Sequence, residues 1–368
     1  MSVYTQLGVK QVINAWGPMT IIGSALVRPE VVAAMAEAAA WHVDVIDLQR
    51  AAGRRLAELI GVEACFIAGG CAAGLAIATA ATMTGNDQAN IARLPDTSGM
   101  RHEVVMQRSH RNPYDHAFTQ VGAQIVEIGH AWQSFDWELE AAIGPHTAAV
   151  IYVYTRRTMN LPLSLTETVE IAHANNVPVI VDAAAEVPPA PNLRRLKDTG
   201  ADVVVISGGK GLRGPQNSAL VLCTEQMVEA CIPHAAPLHS HGRSMKTTKE
   251  DIIGLVTAVE IYTGLDHDEI TRGWQQEAAS VVAAVEEIDG ILATVAEAGY
   301  SDGIPVAKLQ IDADRLGRSV DDVVAHLAAG DPIIRVAHDR DSITINPQFM
   351  QPGETEVVIS RLHHALSD

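Results

Sequence analysis

The 368-residue sequence has little cysteine and no excess of basic charge. Its four cysteines, at 65, 71, 223 and 231, contain no C-x-x-C pair. They read as thiols of a reduced compartment, not as a disulfide framework. Lysine and arginine total 26 against 44 acidic residues, a formal net charge of -18. That balance lacks the basic footprint of a general nucleic-acid binder. The opening MSVYTQLGVKQ carries no basic stretch followed by an apolar core, so no secretory leader is expected. The most apolar regions, near 64–84 and 203–223, are broken by glycine and polar residues and do not read as membrane spans. Internal repeats, low-complexity tails, a Walker A loop and a G-x-G-x-x-G fingerprint are also missing. A cytoplasmic protein without nucleic-acid or membrane partners is the expectation.

Hydrophobic residues make up 48% of the chain and charged residues only 19%. A large core is available, and part of the surface is expected to be covered by another subunit. Apolar runs at 64–67, 103–107, 124–128, 148–153, 178–181, 202–206 and 218–222 read as strands. Helical patterns cover 30–40, 47–60, the stretch after AGG at 68–70, 165–176 and 192–199. This alternation predicts an α/β fold with a mainly parallel sheet covered on both faces. Long helices are expected at 248–264 and 271–287. After Gly290 the pattern becomes that of a smaller α+β unit, closing on a helix in 353–366. The expected division is 1–260 and 261–368, with segment 1–45 contributing to the smaller domain or to an interface.

Three strand ends carry candidate chemistry. In AGGCAAG at 68–74, glycines lead into a helix whose free N–H groups suit a phosphate, although a plain strand-to-helix turn reads the same way. Asp182 closes VPVIVD, where a carboxylate can hold a protonated heterocyclic nitrogen or simply cap the next turn. Lys210 follows DVVVISGG, where an amine can attack a carbonyl to form an imine, or can be a solvated loop lysine. Ser207 and its neighbouring glycines offer further phosphate contacts. His110, in QRSHRNPYDHAF, can lie over an aromatic ring or serve structure alone. HVDVID at 42–47 (His42, Asp44, Asp47) reads as a solvated helix start, and His239 with His241 lacks a third ligand, so no metal is assigned.

A lysine, an acid and a phosphate turn in this order meet the needs of pyridoxal 5'-phosphate. The stretches VINAWGPMTIIGSALVRPEVVAAM, AGGCAAGLAIA, EVVMQRSHRNPYDHAFTQVGAQIVEIG, VIVDAAAEVPP, ISGGKGLRGPQNSALVLC and GRSMKTTKEDIIGLVTAVE carry a resemblance. The chain resembles fold-type I pyridoxal-phosphate enzymes of the selenocysteine synthase (seryl-tRNA selenium transferase) group. It is most similar to their shorter D-glucosaminate-6-phosphate ammonia lyase-like branch. The resemblance implies a seven-stranded large domain and a smaller α+β C-terminal domain. It implies Lys210 as the lysine that carries the cofactor, Asp182 at the pyridine nitrogen and His110 on the ring. Gly69, Gly70, Cys71 and Ala72, with Ser207, would hold the phosphate.

The transfer enzymes have SGDK where this chain has Gly209, and they carry an extra N-terminal region, so selenium transfer is not expected. The expected activity is α,β-elimination from a hydroxylated amino acid or amino-sugar acid, releasing ammonia and a 2-keto acid. Racemisation or epimerisation and retro-aldol cleavage share the same first chemistry and stay open, and a non-catalytic cofactor-binding role stands behind them. Arg28, Arg213 and Arg335 are candidates for a substrate carboxylate or phosphate. A homodimer or higher homo-oligomer with shared active sites is expected, in which Lys246 or Lys249 reaches a neighbour's site.

Overall fold

The computed structural model describes residues 2–155, 163–301 and 303–367. Backbone contacts divide the chain into two units, residues 27–265 and residues 1–26 with 266–368. The first strand, β1 (Val12–Ala15), belongs to the smaller unit. The larger unit then supplies β2 (Ala64–Ala68), β3 (Glu103–Gln107), β4 (Gln124–Ile128), β5 (Thr147–Val153), β6 (Val179–Asp182), β7 (Val203–Ser207) and β8 (Ala219–Cys223).

These seven strands form one sheet in the order β2-β8-β7-β6-β5-β3-β4. β8 runs antiparallel to both neighbours, and the remaining pairs are parallel. The alternation of side chains explains why the central strands are apolar throughout. Val179 and Val181 of β6 join one core, with Val204, Ile206, Leu220 and Leu222. Ile180 joins the other, with Val203, Val205, Ala219 and Val221. A strand buried on both faces has no solvent side on which a polar residue could alternate. The helix Cys71–Thr84 is alanine-rich and buried on nearly every side, so its apolar residues show no single stripe.

The smaller unit has a five-stranded sheet in the order β1-β11-β12-β10-β9, completed by β9 (Ile291–Glu297), β10 (Pro305–Ile311), β11 (Ile333–His338) and β12 (Ser342–Ile345). β1 pairs in parallel with β11, which sets Asn14 opposite Arg335. The helices His267–Val285, Val320–Ala329 and Glu354–Ser367 bury Val281, Val323 and Leu362 against this sheet. Among the described residues, no helix is long and apolar enough to cross a membrane.

Leu222 of β8 is fully buried. Leu222→Ala is expected to cost about 2–5 kcal/mol of stability. Urea unfolding of the cofactor-free protein measures this, and a loss below 1 kcal/mol (roughly the range of surface changes) would contradict the two-faced core.

Candidate active site

The parallel strands deliver the candidate residues to one edge. Asp182 is the last residue of β6, opposite Val153 of β5 and Val205 of β7 in register. Lys210 follows the end of β7 by three residues, and His110 follows the end of β3 by the same interval. β2 is antiparallel to β8, and β8 to β7, so β2 runs in the direction of β7. Its carboxyl end therefore lies on the same edge, and there Gly69 and Gly70 lead into the helix Cys71–Thr84.

Gly70 has φ of +103°, a conformation that L side chains rarely adopt. Its carbonyl accepts from Gly74 N–H at 2.9 Å, which closes the first helical turn. The N–H groups at the start of that turn have no partner within the helix, and they include those of Cys71 and Ala72. The Cys71 thiol looks inward. Burial, then the Asp182 charge, push it up, while Lys210 and a hydrogen bond with Ser207 oppose the shift. Cys71, Ser207, Asp182 and Lys210 are thus one electrostatic group.

Asp182 accepts from Ala184 N–H at 3.1 Å, so it shapes the following turn as well as facing this group. Burial raises its pKa, against the pull of the Ala184 N–H and the Lys210 charge. His110 is 2% exposed and packs edge-on to Tyr152, with ring centroids 4.5 Å apart. Val153 N–H donates to His110 Nδ1 at 3.3 Å, which leaves the proton of a neutral ring on Nε2. Nε2 is buried, with no hydrogen-bond partner among the described residues. Burial lowers the His110 pKa to about 4.

The residues present fit pyridoxal phosphate. A positive-φ turn opens a helix N-terminus for the phosphate. A partly buried carboxylate stands ready for a cation, a lysine shares its field, and an imidazole donor without a partner among the described residues lies beside the same strands. The chain also explains Gly209. A Cβ there would clash with the Gln216 backbone, so the aspartate of the SGDK form would displace the returning segment.

Residues 42–344 match the family model for class-V aminotransferases. The chain belongs to the class-V aminotransferase family. It is therefore an enzyme of the fold-type I, pyridoxal-phosphate-dependent class. A D-glucosaminate-6-phosphate ammonia lyase of Salmonella typhimurium (strain 14028s / SGSC 2262) is 35% identical over 98% of this chain and 97% of its own. A 5'-C-glycyluridine monooxygenase-decarboxylase of Streptomyces sp is 33% identical over 99% of this chain and 92% of its own. A solved structure of D-glucosaminate-6-phosphate ammonia-lyase superposes with a TM-score of 0.85 at 33% identity, covering 100% of both chains.

The other candidates of this aminotransferase relative fall in different places. Arg28 and Arg213 lie side by side: the Arg28 N–H donates to the Arg213 carbonyl at 3.3 Å. Lys246 is exposed, and its carbonyl accepts from Asn217 Nδ2 at 3.3 Å. Lys249 Nζ donates to the Ala38 carbonyl and pairs with Glu250. Arg335 is an exposed residue of β11 in the smaller unit. Asp44 is the N-cap of the helix Val45–Ile60, accepting from Ile46 and Asp47 N–H. Among the described residues, no group of three or more His, Cys, Asp or Glu could hold a metal ion. Tyr152 and His234 escaped the sequence reading. Strand alternation puts Tyr152 in the core without showing that it abuts His110, and His234 is buried against Thr84 Oγ1 at 2.7 Å, a partner 150 residues away.

Burial, with a smaller contribution from His241, also lowers His234 to about 4. Both folded-state values lie below the 6.5 of an unperturbed histidine. The unfolded chain therefore takes up protons first, and stability is lost as pH falls from 6.5 towards 4, by up to about 3 kcal/mol per histidine. Urea unfolding of the cofactor-free protein should show His234→Gln with a shallower acid loss than wild type. Identical slopes for the two proteins would contradict this.

Proposed function

We propose that the protein is an ammonia lyase that performs α,β-elimination on a hydroxylated amino acid or amino-sugar acid. The observation that carries the reading is the shared field of Asp182, Lys210, Cys71 and Ser207 at one sheet edge, taken with the ammonia-lyase relatives that span the whole chain. Pyridoxal phosphate, when bound, supplies the electron sink that makes the substrate's α-proton acidic.

In this reading Lys210 would hold the cofactor, and its amine would move the substrate's α-proton. Asp182 keeps a proton on the pyridine nitrogen, because a buried carboxylate is stabilised by an adjacent cation. His110, neutral with its donor on Nε2, would pack on the ring. Gly69, Gly70, Cys71 and Ala72 hold the phosphate through backbone N–H groups, with the Ser207 hydroxyl beside them. The net change converts –CHOH–CH(NH3+)–COO– to –CH2–CO–COO– and ammonium. The β-hydroxyl leaves with the α-proton, and water later releases the nitrogen.

A homo-oligomer belongs to the same reading. It is supported by exposed Tyr114, Trp132 and Trp137 on the larger unit. A cytoplasmic location is supported by free thiols at Cys65, Cys71, Cys223 and Cys231.

The holoenzyme is expected to be yellow and to lose its visible band on borohydride treatment. Lys210→Ala should show neither property and should lose at least ~1000-fold in kcat, the scale of removing a nucleophile with its proton transfer. Incubation with amino-sugar acids and β-hydroxy amino acids should give equal ammonia and keto acid without oxygen uptake. Oxygen uptake with carbon dioxide release would instead favour the chemistry named for the Streptomyces relative, and inversion without keto acid would favour a racemase.

A further inference from the structure

Segment 245–248 meets two parts of the candidate site within the larger unit. One is the turn at Gly69 and Gly70. A Cβ on Gly69 would stand 2.8 Å from the Met245 carbonyl oxygen and 3.3 Å from that of Lys246. Gly69 does not have a positive φ, so close approach of this segment is what excludes a side chain there.

The other is the chain that returns from Lys210, and Asn217 makes the connection. Its Nδ2 donates to the Lys246 carbonyl at 3.3 Å and to Asp251 Oδ2 at 3.2 Å. Thr247 Oγ1 donates to the Asn217 carbonyl at 3.5 Å. Asp251 lies in the first turn of the helix Lys249–Thr263 and also accepts from Thr248, from its N–H at 3.2 Å and its Oγ1 at 2.8 Å. Beside Asn217, the Gln216 backbone abuts Gly209, the residue before Lys210. One amide thus ties the backing of the glycine turn to the loop that carries the lysine.

Both groups facing that amide are acceptors, a carbonyl and a carboxylate, so the position calls for a donor. Asn217 is exposed and fills no core. What it holds is the loop. The N–H groups that open the helix Cys71–Thr84 converge on an anion only while the turn before them keeps its shape.

We propose that Asn217 is a positioning residue for the cofactor's phosphate: through the Lys246 carbonyl it seats segment 245–248 against Gly69 and keeps the turn shaped for the anion. This rests on the reading that the turn holds the phosphate of pyridoxal phosphate.

The test titrates the cofactor-free full chain with pyridoxal 5'-phosphate and with pyridoxal, followed by visible absorbance. Both probes carry the aldehyde, and only one carries the phosphate. The wild type is expected to favour the phosphorylated probe by roughly tenfold or more, the scale of charge-assisted hydrogen bonds. In Asn217→Ala the affinity for pyridoxal 5'-phosphate should fall roughly three- to tenfold, the scale of one net hydrogen bond. Affinity for pyridoxal should stay at the wild-type value, with Tm little changed. Asn217→Gln, which keeps the amide donors, should recover part of the loss. Equal losses for both probes in Asn217→Ala would mark a general structural role and overturn the proposal, as would unchanged affinity for both. A wild type that binds the two probes alike would instead overturn the phosphate reading of the turn, and this proposal with it. An inactive lyase assay would count against the elimination reading alone.

Discussion

The structure turns on one partly buried carboxylate. Asp182 ends a strand that is apolar on both faces, and burial works against its charge. Taking a carboxylate out of water costs several kcal/mol unless hydrogen bonds and a cation compensate, about the scale of the whole stability of a domain. The Ala184 N–H supplies one compensation and the Lys210 charge another. In the proposed reading a protonated ring nitrogen would supply the third when the cofactor is bound, tying the fold of the sheet edge to its chemistry.

The other groups depend on the same edge. The parallel strands β5, β6 and β7 set Val153, Asp182 and Val205 in line. The Val153 N–H then fixes the His110 tautomer, and the chain beyond β7 carries Lys210. The reversed strand β8 lets β2 return with its carboxyl end beside them, so that the Gly69–Gly70 turn and the lysine share a field although 140 residues separate Gly70 from Lys210. Gly209 belongs to this geometry as much as to any family pattern, because the Gln216 backbone fills the space that a side chain would need.

Much of this was legible in the sequence. Central strands had to be continuous apolar runs, and Asp182 and Lys210 stood directly after two of them, where an open α/β sheet binds ligands. The strand-to-helix turn at Gly69–Gly70 showed itself by glycines before an alanine-rich helix. Long-range approach was not legible. Nothing in the local pattern brings Arg28 to Arg213, Tyr152 to His110 or Lys249 to the Ala38 carbonyl, since these meetings are set by how distant elements pack. HVDVID could have been a ligand cluster by residue type alone, and a capping bond from Asp44 accounts for its carboxylate.

Relatives of nearly equal identity bear names for different reactions, which fits a scaffold that supplies a common activated carbon and leaves the outcome to surrounding groups. The central claim is that the buried Asp182 charge holds a proton on the cofactor's ring nitrogen. The direct measurement is the 15N NMR shift of ring-labelled pyridoxal phosphate bound to the wild type and to Asp182→Asn. The account expects a protonated nitrogen in the wild type up to at least about pH 8, well above the free pyridinium, and an unprotonated one in the variant. The same unprotonated shift in both proteins at pH 7 would contradict it.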